Sequence, residues 1–505
     1  MNPLRILLID VNLVSLDTAV DMLEYPLGLL YVASSLKRAF GDHIQVTIES
    51  YDAKQEAPDT IAQLLEEIQP DVLGLRSLTM GRGPLHEVAA TARHDFGVPL
   101  VIAGGPHASD APEEVLSDDA FDCAVIGEGE ETAVDLIGCV LAGNPWDSIE
   151  GIAVRTPNGI QINPPRPPIE DLDTLPIPDH QLVDFLEINR GHVDFSFRQN
   201  IPHANLFSSR GCPFKCIYCH NLFGKRVRTH SPERLMEEIR QLYDSSGITT
   251  FQIIDDIFNI DRKRAMKFFD LAAGSGMDLV FSFPNGLRGD LIDAEMVDAM
   301  WDAGVRYIAF AVESGSPRIQ KLIQKNLDLD RIRESIALSS RKGILSRGFF
   351  MIGFPTETEE EALMTVEFAT SSDLVMAMFF TVVYFPGTPL FRLAQEMCRI
   401  DDFDLGLEND YVRLREGPYD FSTETLQAIK MKAVREFFFS TRRLELSFDI
   451  MPNFLDQRDM DASFIVNIIS GKMKESDIED PEYARRLHRY FLIVDRFSEK
   501  SGFYV

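Results

Sequence analysis

The sequence predicts an α/β protein: an N-terminal doubly wound sheet of Rossmann-like or flavodoxin-like type, a partial (β/α)6 barrel, and a mostly helical C-terminal domain. Three observations carry this. Short, continuously apolar runs alternate with stretches of helical period, the pattern of a parallel sheet covered on both faces. The alternation occurs twice, over 1–150 and 196–395, with a hairpin and Pro-rich linker at 151–195 between them and a last part at 396–505. Polar or Gly-bearing segments end the apolar runs, at the edge where such sheets hold ligands. A chain of 505 residues suits about three such domains, and 45% hydrophobic residues suffice for large cores.

In the first part, residues 5–10 read as a strand and 27–37 as a helix. Further strands are expected at 46–51, 71–75, 100–103 and 123–126. The strand ends read Asp10-Val11-Asn12, Ser77-Leu78-Thr79, Gly104-Gly105-Pro106-His107 and Gly127-Glu128-Gly129-Glu130. Paired glycines let backbone approach a ligand closely. Each loop alone is an ordinary turn; four on one edge point to a nucleotide-like cofactor. Runs 152–155 and 160–163 flank Thr156-Pro157-Asn158-Gly159, a hairpin signal. Residues 164–178 then read as a linker passing over the surface.

In the barrel part, strands are expected at 204–208, 250–254, 279–283, 307–312, 348–352 and 378–384. Helices are expected at 232–243, 262–273, 293–303, 329–342 and 357–370. In β/α barrels the chemistry gathers at the C-terminal strand ends. The segments at those ends are a cysteine run, Asp255-Asp256, Asn285 with Arg288, Glu313-Ser314-Gly315-Ser316, Gly353-Phe354-Pro355-Thr356-Glu357 and Pro386-Gly387-Thr388-Pro389. Turn chemistry explains the Gly and Pro, less well the acidic pair and Glu313. The last part holds Phe437-Phe438-Phe439 in a helical pattern that reads as core packing.

The cysteine run is Cys212-Pro213-Phe214-Lys215-Cys216-Ile217-Tyr218-Cys219, a CxxxCxxC spacing. Three close thiolates can hold three irons of a [4Fe–4S] cluster and leave the fourth open for chemistry. The other reading is a zinc knuckle or three buried thiols. Zinc in a structural site normally takes four ligands, and His220, next to Cys219, makes an awkward fourth. The other cysteines, Cys123, Cys139 and Cys398, are scattered, so no disulfide framework is expected and the usage suits a reducing cytoplasm.

Formal charge is -30, which disfavours nucleic acid and anionic lipid as partners. Residues 1–10 show no signal-peptide pattern, and no apolar run reaches the ~20 residues of a membrane span. Between Phe195 and Pro232 there is no Asp or Glu, while Arg198, Arg210, Lys215, Lys225, Arg226 and Arg228 fall there. Singly, each reads as a solvated side chain. Together they surround the cysteines, where cations stabilise a reduced, anionic cluster and can dock an acidic electron donor.

Over nearly its whole length the chain resembles the cobalamin-binding radical SAM enzymes. The cysteine motif is their signature; supporting segments are Pro26-Leu27-Gly28-Leu29, Gly104-Gly105-Pro106-His107, Val125-Ile126-Gly127-Glu128-Gly129-Glu130, Asp255-Asp256-Ile257-Phe258, Glu313-Ser314-Gly315-Ser316 and Pro386-Gly387-Thr388. The resemblance implies that Cys212, Cys216 and Cys219 hold a [4Fe–4S] cluster whose fourth iron S-adenosylmethionine (SAM) chelates. It implies SAM contacts from Tyr218, Asp255, Glu313, Gly353 and, more weakly, Arg347 at the SAM carboxylate. Cobalamin would lie against Asn12, Leu27, Gly28, Ser77, Leu78, Thr79, Gly104, Gly105, Pro106, His107, Gly127, Glu128 and Gly129. Relatives that ligate cobalt through histidine carry Asp-x-His-x-x-Gly after the first strand. Here that run is Asp10-Val11-Asn12-Leu13-Val14-Ser15, so no imidazole comes from that loop and cobalamin is expected without a lower histidine ligand.

The activity implied is methyl transfer from methylcobalamin to an unactivated carbon, after hydrogen abstraction by a 5′-deoxyadenosyl radical. The alternatives are radical rearrangement, ring formation or oxidative cyclisation without methyl transfer, and a non-catalytic cobalamin or redox sensor. A methylthiotransferase would need a second three-cysteine set, for which Cys123 and Cys139 are too few. The partners implied are a small-molecule or peptide substrate and an electron donor such as flavodoxin or ferredoxin.

Overall fold

The computed structural model describes residues 2–12, 25–53, 59–188, 202–219, 222–385, 388–397, 417–438, 440, 442–443, 446 and 450. The chain divides into two compact units. One comprises Met1–His192, Asn200–Pro213 and Asn221–Ile248; the other comprises Val193–Gln199, Phe214–His220 and Thr249–Val505.

The first unit is built on a seven-stranded sheet. Its strands are β1 (Leu4–Asn12), β2 (Ile44–Asp52), β3 (Val72–Ser77), β4 (Leu100–Gly104), β5 (Cys123–Val125), β6 (Ile152–Thr156) and β7 (Gly159–Ile162). They lie in the order β2-β1-β3-β4-β5-β6-β7. Strands β1 to β5 pair in parallel, and β6 and β7 add an antiparallel hairpin. The order 2-1-3-4-5 is flavodoxin-like, with a topological switch point between β1 and β3, beyond whose carboxyl ends a ligand crevice is expected. β1 is apolar on both faces, and Ile6, Leu7, Leu8, Ile9 and Val11 are all buried. Leu7 and Ile9 join Leu73, Leu75, Val101 and Ala103 in one core with Leu65 and Leu85 from the helices Thr60–Ile68 and Arg82–Ala90.

The linker departs from expectation. The β6–β7 hairpin is continuous with the first sheet, and Ile169, Leu172 and Leu175 beyond it are buried rather than spread over the surface. Polar contacts tie this segment to the helix Leu27–Phe40: Asp179 N–H donates to Ser34 Oγ at 2.7 Å, Arg38 donates to the Thr174 carbonyl at 2.6 Å, and Lys37 pairs with Asp179. The first unit also holds β8 (His203–Leu206) and the short antiparallel pair β9 (Ser209–Arg210) and β10 (Arg228–Thr229).

The sheet of the second unit contains β11 (Thr250–Ile253), β12 (Val280–Leu287), β13 (Val305–Glu313), β14 (Leu345–Ile352) and β15 (Met376–Thr381). They are parallel and run in the order β15-β14-β13-β12-β11. With β8, the six strands expected in this part of the chain are all present. Helices Arg262–Ala273, Ala294–Asp302, Leu329–Lys342 and Glu359–Ser371 follow successive strands. Each starts where an Asp or Thr side chain accepts a hydrogen bond from the first turn: Asp261, Asp293, Asp328 and Thr358. Phe379 stacks on Phe350 and meets Phe437 edge-on in the core. Helix Thr423–Phe438 is described, whereas most of the expected C-terminal domain, with Cys398, His220, Arg198 and Pro386-Gly387, lies outside the described residues. Among the described residues no helix is long and apolar enough to cross a membrane.

Candidate functional site

In the second unit, the segment carrying Cys216 and Cys219 is held through the residue between them. Ile217 N–H donates to the Ile323 carbonyl at 3.1 Å, and the Ile217 carbonyl accepts from Leu390 N–H at 2.9 Å. Its side chain is buried with Ile319, Ile323, Phe354, Tyr384 and Leu390. Cys219 N–H donates to the Cys216 carbonyl at 3.3 Å, which turns both thiols to one side. The hydrogen bond from Cys219, aided by the charge of Lys325 and the Tyr218 hydroxyl, outweighs burial and holds the Cys216 thiol below its ordinary value. The same bond, with burial, pushes Cys219 up.

Tyr218 lies beside this pair. Its hydroxyl donates to Glu313 Oε1 at 3.2 Å, and Lys325 Nζ donates to Glu313 Oε1 at 2.8 Å and to the Tyr218 hydroxyl at 3.1 Å. Burial, then Glu313, pushes the Tyr218 phenol well up, so it stays a proton donor. Glu313 ends β13 with φ +67, a left-handed conformation uncommon for a non-glycine residue. Sequence reasoning missed Lys325. It sits between Gln324 and Asn326, whose φ values of 55 and 50 make a tight turn after the helix Pro317–Leu322. The readable signal was Asn326, a residue type that tolerates this conformation.

Other expected SAM contacts are dispersed. Asp255 follows β11 and is buried. Gly353 has φ +103, and a Cβ there would meet the Tyr419 ring at 3.4 Å. The Gly353 carbonyl accepts from Tyr384 at 2.6 Å, and its N–H donates to Glu357 Oε2 at 2.6 Å. Arg347 stands apart from these. It is the third residue of β14, five residues or roughly 16 Å of strand before the carboxyl end. There its guanidinium lies over Tyr307 and near Met376, at the far end of the sheet from the rim.

Cys212 belongs to the first unit, in an excursion whose neck is the β9–β10 ladder. Gly211 has φ +92, and a Cβ there would run into the Arg226 carbonyl. Cys212 N–H donates to the Gly224 carbonyl at 3.2 Å. The basic stretch is not the open island its composition suggests. Arg210 and Arg228 are buried in ion pairs with Glu130 and Glu128, and exposed Arg226 pairs with exposed Glu170.

On the rim of the first sheet, Asn12 is buried, its Nδ2 donating to the Asp10 carbonyl at 3.4 Å. Ser77 Oγ donates to the Val11 carbonyl at 2.8 Å, tying the ends of β1 and β3 together, while Leu78 stands exposed and Thr79 opens a short turn. Leu27 is buried. Among the described residues, a Cβ at Gly28, Gly104 or Gly127 would meet nothing within 4 Å. Gly105, with φ +82, packs against Arg76. Pro106 lies in the first turn of the helix Gly105–Asp110, and Gly129 starts the helix Gly129–Ala142. The His107 ring is buried, and burial pushes its pKa down. The Glu128 carboxylate pairs with Arg228 and accepts the Ile169 N–H at 2.8 Å.

These residues fit the groups the resemblance implies. Three soft thiol donors suit iron in a cluster. Among the described residues no three His, Cys, Asp or Glu side chains converge on one metal ion, and a cluster that takes one thiolate per iron needs no such convergence. Glycine backbone at Gly28, Gly104 and Gly127, with no described neighbour against it, is the kind of surface that a large planar cofactor can approach closely.

Residues 206–369 match the radical SAM superfamily model, and residues 16–137 match the B12 binding domain model. An uncharacterized methyltransferase of Pyrococcus horikoshii is 31% identical over 372 residues, covering 73% of this chain and 78% of the relative. The anaerobic magnesium-protoporphyrin IX monomethyl ester cyclase of Rubrivivax gelatinosus is 23% identical, covering 75% of this chain and 68% of the relative. The radical SAM methyltransferase TsrM from Kitasatospora setae, solved with cobalamin and a [4Fe-4S] cluster, shares the fold at TM-score 0.64 and 17% identity, covering 79% of this chain and 76% of TsrM. The chain belongs to the cobalamin-binding radical SAM enzymes.

Proposed function

We propose that the chain is a cobalamin-dependent radical SAM methyltransferase that methylates an unactivated carbon of a small molecule or peptide, in the cytoplasm, with a flavodoxin or ferredoxin as electron donor. The observation that carries this reading is the Cys216–Cys219 pair beside Tyr218, Glu313 and Lys325, in a chain whose first unit has glycine backbone at Gly28, Gly104 and Gly127 with no described neighbour against it. A relative named a methyltransferase supports it at 31% identity.

Cys212, Cys216 and Cys219 would hold the cluster, and the rim around Asn12, Gly28, Gly104 and Gly127 would hold cobalamin without a lower histidine. When bound, the cluster and SAM supply a radical for hydrogen abstraction, and cobalamin carries the methyl group. The chain's own residues bind and orient. Glu313 and Lys325 offer an acceptor and a cation to the polar ends of SAM, and Tyr218 keeps its proton beside them. Ile217, Phe354 and Tyr384 pack together beneath the segment that carries the two thiols and fix its position.

Ring formation without methyl transfer is the second reading, favoured by the cyclase relative. Anaerobic reconstitution with cobalamin, followed by product analysis of SAM, separates the two. Methyl transfer yields 5′-deoxyadenosine together with S-adenosylhomocysteine. Deoxyadenosine alone selects the second reading, and no SAM cleavage after reduction removes both.

A further inference from the structure

Arg210 and Arg228 are directly paired positions of the β9–β10 ladder, at the neck of the excursion that carries Cys212. Their side chains are only 4% and 3% exposed. Two buried like charges side by side are costly unless each is neutralised and hydrogen-bonded. The neutralising groups come from far earlier in the chain. Arg210 Nη2 donates to Glu130 Oε1 at 2.5 Å, and Arg228 donates to both oxygens of Glu128 at 2.6 and 2.9 Å. Glu128 also lies 3.5 Å from Arg210, so two acids and two bases form one neutral set. The rings of Tyr31 and Phe223 lie 5.2 and 5.5 Å from the Arg210 guanidinium. Arg228 further donates to the carbonyls of Ile169 and Phe223, at 2.7 and 3.2 Å. Gly211 and Cys212 follow Arg210 directly, with the Cys212 N–H already committed to the Gly224 carbonyl.

We propose that Glu128 and Glu130 are positioning residues for Cys212: by compensating Arg210 and Arg228 they close the neck of the cysteine loop and fix where its first thiol stands for cluster assembly. They act through the two arginines. Closure sets the approach of β9 to β10, and Gly211, with no room for a side chain, transmits that approach to the next residue.

Alkylation of the cluster-free full chain with iodoacetamide tests this, with each cysteine peptide read by mass spectrometry. Cys123, buried in β5, serves as an internal reporter of global unfolding. In Glu130→Gln, Cys212 should be alkylated about tenfold faster, the response to a ~1.4 kcal/mol loss of local closure, while Cys123 stays protected. Pairing Glu130→Gln with Arg210→Met removes the uncompensated charge and should restore protection. After reconstitution, the reduced cluster of Glu130→Gln should show altered electron paramagnetic resonance g-values, and that of Arg226→Gln, whose ion pair is exposed, should not. Should Glu130→Gln fail to fold, Glu128→Gln is the milder variant, since Arg228 keeps two carbonyl acceptors. The proposal is overturned if Cys212 reactivity and the cluster signal match the unaltered protein in the folded variant. It is equally overturned if Cys212 and Cys123 become reactive together in both variants.

Discussion

Glu128 and Glu357 are both enclosed carboxylates in loops that follow parallel strands, and their surroundings charge them differently. In the first unit, burial alone would raise Glu128, but the hydrogen bonds from Arg228 and the charge of Arg210 outweigh it and hold the group below its usual range. In the second unit, Glu357 receives only the backbone N–H groups of Gly353 and Phe354, and among the described residues its Oε1 has no hydrogen-bond partner. Burial dominates there and pushes it up to about 7. Enclosure is common to both; the cation decides. One loop uses a charge as a clasp, and the other keeps a carboxyl near the boundary between its two protonation states.

The largest expected effect comes from breaking the clasp. Arg228→Met strands Glu128 without its bidentate partner and should cost about 3 kcal/mol at neutral pH, read as a lower urea midpoint. The loss should shrink in acid, because a group with a depressed pKa stabilises fully above its unfolded value and loses that contribution as pH falls through the folded value. An unchanged midpoint at pH 7 would break the comparison.

Glu357 should behave in the opposite sense. Its folded form keeps a proton that the unfolded chain releases, so stability falls as pH rises from the ordinary carboxylate range to about 7. Glu357→Gln should therefore stabilise the protein by about 1–3 kcal/mol at pH 8 and little at pH 5, seen as a pH-dependent gain in Tm. A gain of equal size at both pH values would mean that proton uptake is not its source.

The smallest effect concerns a third case, the largely enclosed pair of Glu313 and Lys325. Lys325→Met should weaken SAM binding about five- to tenfold in equilibrium dialysis, the scale of one lost charge-assisted hydrogen bond. Binding equal to that of the unaltered chain would remove Lys325 from the SAM contacts.

Much of this architecture was readable because parallel strands buried on both faces are continuous apolar runs. The cysteine spacing was readable because its meaning is local. What failed was distant or terminal. The absence of acids between Phe195 and Pro232 suggested open cations, yet the acids that bury Arg210 and Arg228 lie at Glu128 and Glu130, which no local window can connect. β14 begins at Leu345 because Ser346 and Arg347 are buried polar residues, which an apolar-run reading leaves outside the strand. β12 runs on to Leu287, with an irregular register between Phe283 and Leu287, so Asn285 lies within that strand and not after it. Lys325 was hidden in a turn whose meaning depends on Glu313, twelve positions earlier.

The paired arginines at the neck also impose an order on the making of this protein. Synthesis delivers the Gly127–Glu130 loop before the cysteines, and N-terminal domains generally fold first. When Arg210 and Arg228 emerge, the carboxylates that let them be buried are in place on a finished sheet. A chain lacking that sheet would present the cysteine run on a hairpin whose two ends repel, a poor recipient for iron and sulfide. On the proposal made for Glu128 and Glu130, the first sheet would have to be built before the cysteine loop could receive its cluster.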